Sequence, residues 1–404
     1  MLLRRNFLAA ASLPLIGRAR AQGKAPVIKI GSLQDGSGPY SFLGGAGSIA
    51  CARQAIEEMA AKHGLNVELL VADHQNKPDI GSAIARQWLD DGVDVLMEFN
   101  NSAIALAVNT MVRERDKVML ANNVGSAVLS GKQCSPNVTH WTFDTAELAR
   151  VMGTALTAQG GDTWYFIRSD YVFGKSLTDD TAAIVLAKGG KILGETSLPL
   201  GTSDYASALL SARVSGAKVV ALALAGQDLL SCIKQAAEIG IGQGSQKIAT
   251  LIMHWQDVHA LGLETAQGLQ LTETFYWDVN DRSRAFSKRI TARTGGKPPN
   301  MGQAGAYSAT LHYLKAVAAL GPEAAKASGR ATVARMKQIP IDDDVLNNAR
   351  IREDGRVVSD VYLFEVKKPA DSKSEFDLYT LRATIGPEQA WRPMSEGGCP
   401  LVNG

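Results

Sequence analysis

From Val27 onward the chain alternates short β-branched runs with helical stretches, and part-way along it that alternation starts over. The runs "VIKIGSL", "VELLVAD", "VDVLMEF" and "KVMLAN" are short and rich in β-branched and other apolar residues, as strands of a covered sheet require. Between the first two, Ile49, Ala52, Ile56 and Met59 recur at three- and four-residue intervals, the spacing of one helix face. Strands alternating with helices predict an α/β fold with a mostly parallel sheet covered on both sides. A second series, "DTWYFIRS", "KILGETSL", "AKVVALALAG" and "QKIATLIM", with helices near 174–188, 204–214 and 226–240, predicts a second such unit. The 404 residues are enough for both.

The joints between the units are legible as well. "SPNVTHWTFDTAELARVM" reads as a strand that ends in a crossing, with Asp144 or Thr145 capping the helix that follows. "LQLTETFYWDVNDRSRAF" reads as a second crossing. Helices near 281–293, 301–320 and 328–338 come next. The chain then carries "VVSDVYLFEV" and "FDLYTLRATI", a hairpin whose polar connection, "KKPADSKSE", is long and exposed.

Charge and composition exclude several classes of function. A net charge of +2, with basic and acidic residues intermixed, offers no field for nucleic acid or anionic lipid. The N-terminus stands apart. Arg4 and Arg5 precede an apolar run from Phe7 to Ile16 that is too short to span a bilayer, and Ala19-Arg20-Ala21 makes a small-x-small cleavage site before Gln22. Residues 1–21 therefore read as a signal peptide for export to the periplasm, and the paired arginines before Phe7-Leu8 resemble a twin-arginine signal. No later segment is apolar for long enough to cross a membrane. Export permits disulfides. Cys51 and Cys232 fall in helical patterns and read as small buried hydrophobes, whereas Cys134 and Cys399 lie in turn-rich loops and are the available pair.

Motifs that would carry chemistry are mostly absent from the sequence. "GAGSIA" (Gly45–Ala50) fits the dinucleotide pattern, but a cofactor loop has its first glycine directly after the strand, and here the strand ends near Leu33. The glycines are better read as allowing close helix packing. The six histidines are scattered, His254 and His259 fall on different helix faces, and no HExxH, CxxC or GxSxG motif occurs. No cofactor, no metal and no catalysis are expected, and binding is favoured.

Strand ends supply the positive signals. "VDVLMEFNNSAIALAV" passes from strand to helix with Asn101 or Ser102 at the N-cap, where backbone N–H groups can seat an anion. The neighbouring strand end, "MLANNVGSAV", brings Asn122, Asn123 and Gly125 alongside, the place where open parallel sheets hold ligands. In the second unit Tyr171 and Phe173, then Gln227, then His254 and Trp255, stand at successive strand ends.

Taken together, "GSGPYSFLGGAGSIACARQAIEE", "NNSAIALAV", "DYVFGKSL", "GLETAQGL" and "AGAYSATLHYLKAV", in this order over some 300 residues, resemble the periplasmic substrate-binding proteins of the branched-chain amino acid ABC transporter family. The resemblance implies a two-lobed type I periplasmic binding protein with three crossovers, closing by a hinge on a small carboxylate-bearing ligand. Its boundaries are 25–143 with 275–350 for lobe 1, 144–274 with 351–385 for lobe 2, and a tail over 386–404. It implies that Asn101, Ser102, Asn123 and Gly125 seat the carboxylate, that Tyr40 and Phe42 wall the cleft, and that Phe173 closes over the ligand from lobe 2. It also implies a membrane permease as partner, and a monomer is expected.

One departure sharpens the expectation. Amino acid binders of the family carry an acid after the fourth strand of the second lobe to hold the ligand's ammonium, and the corresponding stretch here, Ile252–Gln256, has none. An ammonium buried without a counter-charge costs several kcal/mol. An aromatic, keto or hydroxy acid is therefore expected over an amino acid, unless Asp257, one residue further on, takes that place. His254 or Arg168 would hold a second polar group. A sensory protein of the same fold and an exported α/β enzyme are the rival readings.

Overall fold

The computed structural model describes residues 26–402, so the expected leader lies outside the described residues. Five parallel strands form the first sheet: β1 (Val27–Gln34), β2 (Asn66–Asp73), β3 (Val95–Glu98), β4 (Val118–Ala121) and β5 (Val138–His140), in the order β2-β1-β3-β4-β5. Helices α1 (Gly45–His63), α2 (Pro78–Asp90) and α3 (Ser102–Glu114) join the first four. Central strands β3 and β4 are buried at every residue, in keeping with their apolar residues Val95–Met97 and Val118–Ala121, while edge strand β2 has no buried residue at all.

The chain leaves this sheet at His140 and enters α4 (Thr145–Ala158), whose N-cap is Asp144, accepting from the Glu147 N–H at 2.8 Å. A second parallel sheet follows, with β6 (Thr163–Ser169), β7 (Lys191–Leu198), β8 (Val219–Ala223) and β9 (Lys247–Thr250) in the order β7-β6-β8-β9. Helices α5 (Val172–Ala187), α6 (Ala206–Val214) and α7 (Gln227–Glu238) connect them. Short helices α8 (Trp255–Leu261) and α9 (Leu263–Ala266) lead to β10 (Gln270–Glu273), and the chain crosses back through α10 (Asp281–Thr291) to α11 (Met301–Leu320), which lies along α1. Gly47 makes that approach possible, since a Cβ there would run into the Gln303 side chain on α11. Of the two glycines of "GAGSIA", Gly47 thus serves helix packing, whereas Gly45 has open space beside it and a φ of +50°.

The last crossing differs from the expectation. "VVSDVYLFEV" is not one strand: β11 (Arg350–Ile351) and β12 (Val357–Val358) pair as a small antiparallel hairpin, and β13 (Val361–Val366) starts afresh. Arg356 bridges to His140 of β5, so this hairpin stands against the first sheet. The cause is Arg356 itself, 1% exposed, whose guanidinium donates to the carbonyls of Trp141 (2.5 Å), Thr142 and Phe143 (3.2 Å) and lies 3.4 Å from Asp144. β13 then pairs antiparallel with β10 and with β14 (Tyr379–Ile385). The Thr250 hydroxyl donates to the Gln270 carbonyl at 2.7 Å, which sets this sheet beside β9.

Candidate functional site

The site lies at the C-terminal end of the first sheet, where β1 and β3 are neighbours and the chain turns to opposite sides. Glu98, the last residue of β3, and Phe99 and Asn100 after it all have positive φ, at 83°, 86° and 43°. Non-glycine residues in such conformations cost about 1–3 kcal/mol each and persist where surroundings enforce them. The enforcement is visible. The buried Glu98 carboxylate accepts from Asn122 Nδ2 (2.5 Å) and Asn123 Nδ2 (3.0 Å), while Asn100 Oδ1 accepts from the Asp35 N–H at 3.4 Å. Burial pushes the Glu98 carboxyl up, and hydrogen bonds from Ser48, Asn122 and Asn123 oppose that.

This strained turn delivers α3. Asn101 is its N-cap, accepting from the amides of Ala103 (2.8 Å) and Ile104 (3.1 Å), and its Nδ2 is tied to Asn76 Oδ1 at 2.6 Å. The amides expected behind the cap as an anion seat are thus already taken. What remains is the Ser102 N–H, which has no acceptor among the described residues, and the Ser102 hydroxyl, which accepts from the Ser126 N–H at 3.1 Å and keeps its own proton to donate. Asn123 is likewise committed: its Nδ2 binds Glu98, and its Oδ1 faces Gly302 on α11 so closely that no Cβ would fit there.

Two spaces lie between the sheets. An inner cavity of about 30 Å³ is lined by Tyr40, Leu43, Asn100, Asn101, Ser102, Asn123, Gly125, Phe143, Tyr171, Phe173, Ala225 and Ile252. An outer cleft of about 720 Å³ touches Phe42, Gln227, Trp255, Gln256, Asp257, Lys297 and Gln303 among others. The loop from Gly38 to Gly44 divides them, with Tyr40 facing inward and Phe42 outward. It presses on the second lobe at Gly226, where φ is +62° and a Cβ would stand 2.9 Å from the Pro39 carbonyl oxygen.

Across the inner cavity the lobes touch directly. Tyr40 and Tyr171 share a hydroxyl–hydroxyl hydrogen bond of 2.9 Å, and Ser126 and Ser176 another of 3.0 Å. Burial pushes both phenols up, so both stay neutral in the physiological range. The Phe173 ring lies on Gly125, where a Cβ would stand 2.6 Å from its Cε2. An inner space of this size admits about one water molecule. A larger ligand requires these rings to move or the lobes to part.

Of the residues singled out from the sequence, Tyr40, Asn101, Ser102, Asn123, Gly125, Tyr171 and Phe173 line the inner cavity, whereas Phe42, Gln227 and Trp255 line the outer cleft. His254 lines neither. It is 2% exposed, both ring nitrogens lack partners, its ring meets Phe143 edge-on at 6.2 Å, and burial lowers its pKa to about 4. Arg168 is engaged by Asp170 (3.3 Å) and Glu195 (3.5 Å), away from both spaces. Asp257 accepts the His254 N–H at 2.8 Å at the start of α8 and borders only the outer cleft. Leu43, Asn100, Phe143, Ala225 and Ile252 were not anticipated; Ala225 and Ile252 sit at strand ends and were within reach of the topology, while Asn100 carried no signal beyond its place before the cap.

A family model described as periplasmic binding protein matches residues 27–373. The chain belongs to this family. It is similar to a periplasmic binding protein from Burkholderia mallei, with 42% identity and a TM-score of 0.88 over 94% of this chain and 99% of that one. A branched chain amino acid ABC transporter periplasmic ligand-binding protein from Burkholderia xenovorans LB400 shares 36% identity, with a TM-score of 0.83 over 93% and 99% of the two chains. The Leu/Ile/Val-binding protein homolog 6 of Brucella melitensis is 26% identical over 384 residues, 90% of this chain and 94% of that protein. The family is one of two-lobed, non-enzymatic periplasmic binding proteins, and the Burkholderia xenovorans relative is one that serves an ABC transporter. Among the described residues no helix is long and apolar enough to cross a membrane.

The Cys134–Cys399 pair expected from the sequence is a disulfide, with Cα atoms 5.6 Å apart, and Cys51 and Cys232 are buried free thiols.

Proposed function

We propose that this periplasmic binding protein captures a small amine-free organic acid, aromatic, keto or hydroxy, between its lobes and delivers it to the permease of an ABC importer. One observation carries the reading. None of the twelve residues lining the inner cavity bears a charge. The Ser102 N–H and O–H at the start of α3 suit a carboxylate, with the helix dipole behind them, but nothing in that wall would balance an ammonium. Asp257 does not supply the charge, being held by the α8 cap and bordering the outer cleft alone. Aromatic walls from Tyr40, Phe143, Tyr171 and Phe173 suit a flat ring.

The fold itself serves either ligand class. Structures sharing it at 19% and 20% identity are R. palustris solute-binding proteins in complex with benzoate and with 4-hydroxybenzoate. Another, at 18%, is a leucine-, isoleucine-, valine-, threonine- and alanine-binding protein from Brucella ovis. Residues of this chain must decide. The lobe boundaries we propose are 26–143 with 275–358, and 144–274 with 361–385. The leader over residues 1–21 and the twin-arginine route belong to the same proposal.

Thermal unfolding with benzoate, 4-hydroxybenzoate, pyruvate, lactate, leucine and valine tests the ligand class. A ligand present at 100 times its Kd stabilises by about 2.7 kcal/mol. Stabilisation by one or more of the acids, with leucine and valine inert, is the expected result. Stabilisation by leucine or valine alone would overturn the amine-free assignment.

A further inference from the structure

Residues 386–402 start on one lobe and finish on the other. β14 belongs to the sheet of the second lobe, and the short helical turn Pro387–Ala390 after it packs on α4, where Arg150 Nε donates to the Gln389 carbonyl at 3.4 Å. Trp391 then sits among the crossings. Its Nε1 donates to the Ser359 carbonyl at 2.7 Å, and its ring covers the Arg356 guanidinium, 4.2 Å from the ring centre. Past Trp391 the chain docks on the first lobe. Arg392 donates to the Ala127 carbonyl (3.1 Å), and its own carbonyl accepts from Arg352 Nη1 (2.7 Å). The Gly397 carbonyl lies 2.6 Å from where a Cβ of Gly131 would be, and Cys399 is bonded to Cys134. Two ion pairs run between the docked ends and the opposite lobes: Glu388 with Arg350 on the hairpin beside β5, and Glu396 with Arg150 on α4 at 3.9 Å.

We propose that this tail is a fourth connection between the lobes, fastened by the Cys134–Cys399 disulfide, and that it restrains how far they separate. Three polypeptide crossings alone leave bending and twisting soft, because a few hinge residues in each can absorb large φ/ψ changes. The fourth must stretch or undock when the lobes part. Its polar links to the first lobe are partly exposed hydrogen bonds and ion pairs, each worth about 0–1.5 kcal/mol net, and such links fray. The disulfide does not fray. With it formed, peeling from Cys399 back to Trp391 is blocked, so the open form keeps the Trp391–Arg356 knot and a limited amplitude. With it cleaved, the tail detaches from the first lobe and only the three crossings remain.

The experiment compares the ligand-free full-length mature protein before and after reduction. Dithiothreitol supplies two electrons and two protons, leaves as its cyclic disulfide, and yields two thiols; Cys51 and Cys232 are already free and buried. The Cys399→Ser variant gives the same unfastened state without reductant, and reduced wild type covers the case in which the variant does not fold. Small-angle scattering reads the radius of gyration, and hydrogen exchange reads the crossings. Unfastening is expected to raise the radius of gyration and to speed exchange at Trp141–Asp144 and Ser359–Asp360 by at least about fivefold, the lower end of typical coupling between sites. Faster exchange confined to residues 392–402, with the radius of gyration and the crossings unchanged, would overturn the proposal and leave the disulfide as an anchor for the tail alone.

Discussion

Gly125→Ala separates the closed form from the fold. The glycine follows β4 on the first lobe, and the ring it meets, Phe173, belongs to α5 on the second. Its φ lies outside the left-handed region, so alanine suits the backbone, and the added methyl meets only the ring, 2.6 Å from Cε2, and more distantly Phe143 at 3.5 Å. A clash of this depth costs about 1–3 kcal/mol when the neighbour must shift. In the open form the ring is withdrawn and the cost vanishes. The whole penalty therefore falls on closure, and linkage passes it to ligand affinity as a loss of about 5–150-fold. Calorimetric titration with the best acid from the thermal screen measures the affinity, and the melting temperature without ligand serves as the control. Weaker binding with an unchanged unliganded melting temperature is the expected pair of results. A lower melting temperature with unchanged affinity would refute the reasoning, because the Phe173–Gly125 contact would then belong to the resting fold. Gly125→Ala combined with Phe173→Leu should recover part of the loss.

Arg356→Met leaves Asp144 buried without its cation and frees the carbonyls of Trp141, Thr142 and Phe143, so urea denaturation should show a loss of about 3–5 kcal/mol, and a change near zero would contradict its part in holding the hairpin against β5. Burial holds the Asp257 carboxyl at about 7, above its ordinary 3.8, and the neighbouring Glu273 is pushed up too. A carboxyl raised on folding adds stability that is complete below pH 3.8 and lost as pH rises through about 7; Asp257→Asn, which keeps an acceptor for the His254 N–H, should therefore gain melting temperature relative to wild type between pH 4 and 8, and parallel profiles would exclude Asp257 as the source. Tyr40→Phe orphans the buried Tyr171 hydroxyl at a cost of about 1–3 kcal/mol in the closed form, whereas Tyr40→Phe with Tyr171→Phe removes both partners. Titration should find the double variant binding better than the single one; equal weakness would mean that the hydroxyls hold the ligand rather than each other.

Two parallel sheets, the crossings after His140 and Glu273, the Asp144 cap and the terminal hairpin were legible because each rests on local patterning: apolar runs, helical spacing, a capping residue. The hairpin at 350–358 was not, because what draws it to β5 is a single buried arginine reaching carbonyls more than 200 positions earlier in the chain. The same limit applies at the site. Asn101 and Ser102 were legible as a helix start, yet the cap spends the very amides that the helix start seemed to offer. The left-handed run Glu98–Asn100 has no sequence mark, since none of the three is glycine. His254 shows the opposite error: a histidine at a strand end looks like a ligand group, and burial against Phe143 keeps it out of both spaces.

The long connection between β1 and α1 draws these observations together. A nucleotide loop needs the helix directly after the strand, but here the residues between Gln34 and Gly45 are free to reach the other lobe, with Asp35 pinning their start by accepting from Gly38 (2.6 Å) and Tyr40 (2.9 Å). From that base Tyr40 meets Tyr171, and Pro39 and Phe42 meet Gly226. The direct polar latch across the cavity, this pair with Ser126–Ser176, is worth about 1–3 kcal/mol in all, at 0.5–1.5 kcal/mol for each hydrogen bond. Shifting a hinge from mostly open to mostly closed takes about 5.5 kcal/mol. The latch orients closure and cannot drive it alone. At the site we propose, the balance comes from what a ligand adds at Ser102 and against the rings, and that dependence would let a permease distinguish a loaded receptor from an empty one.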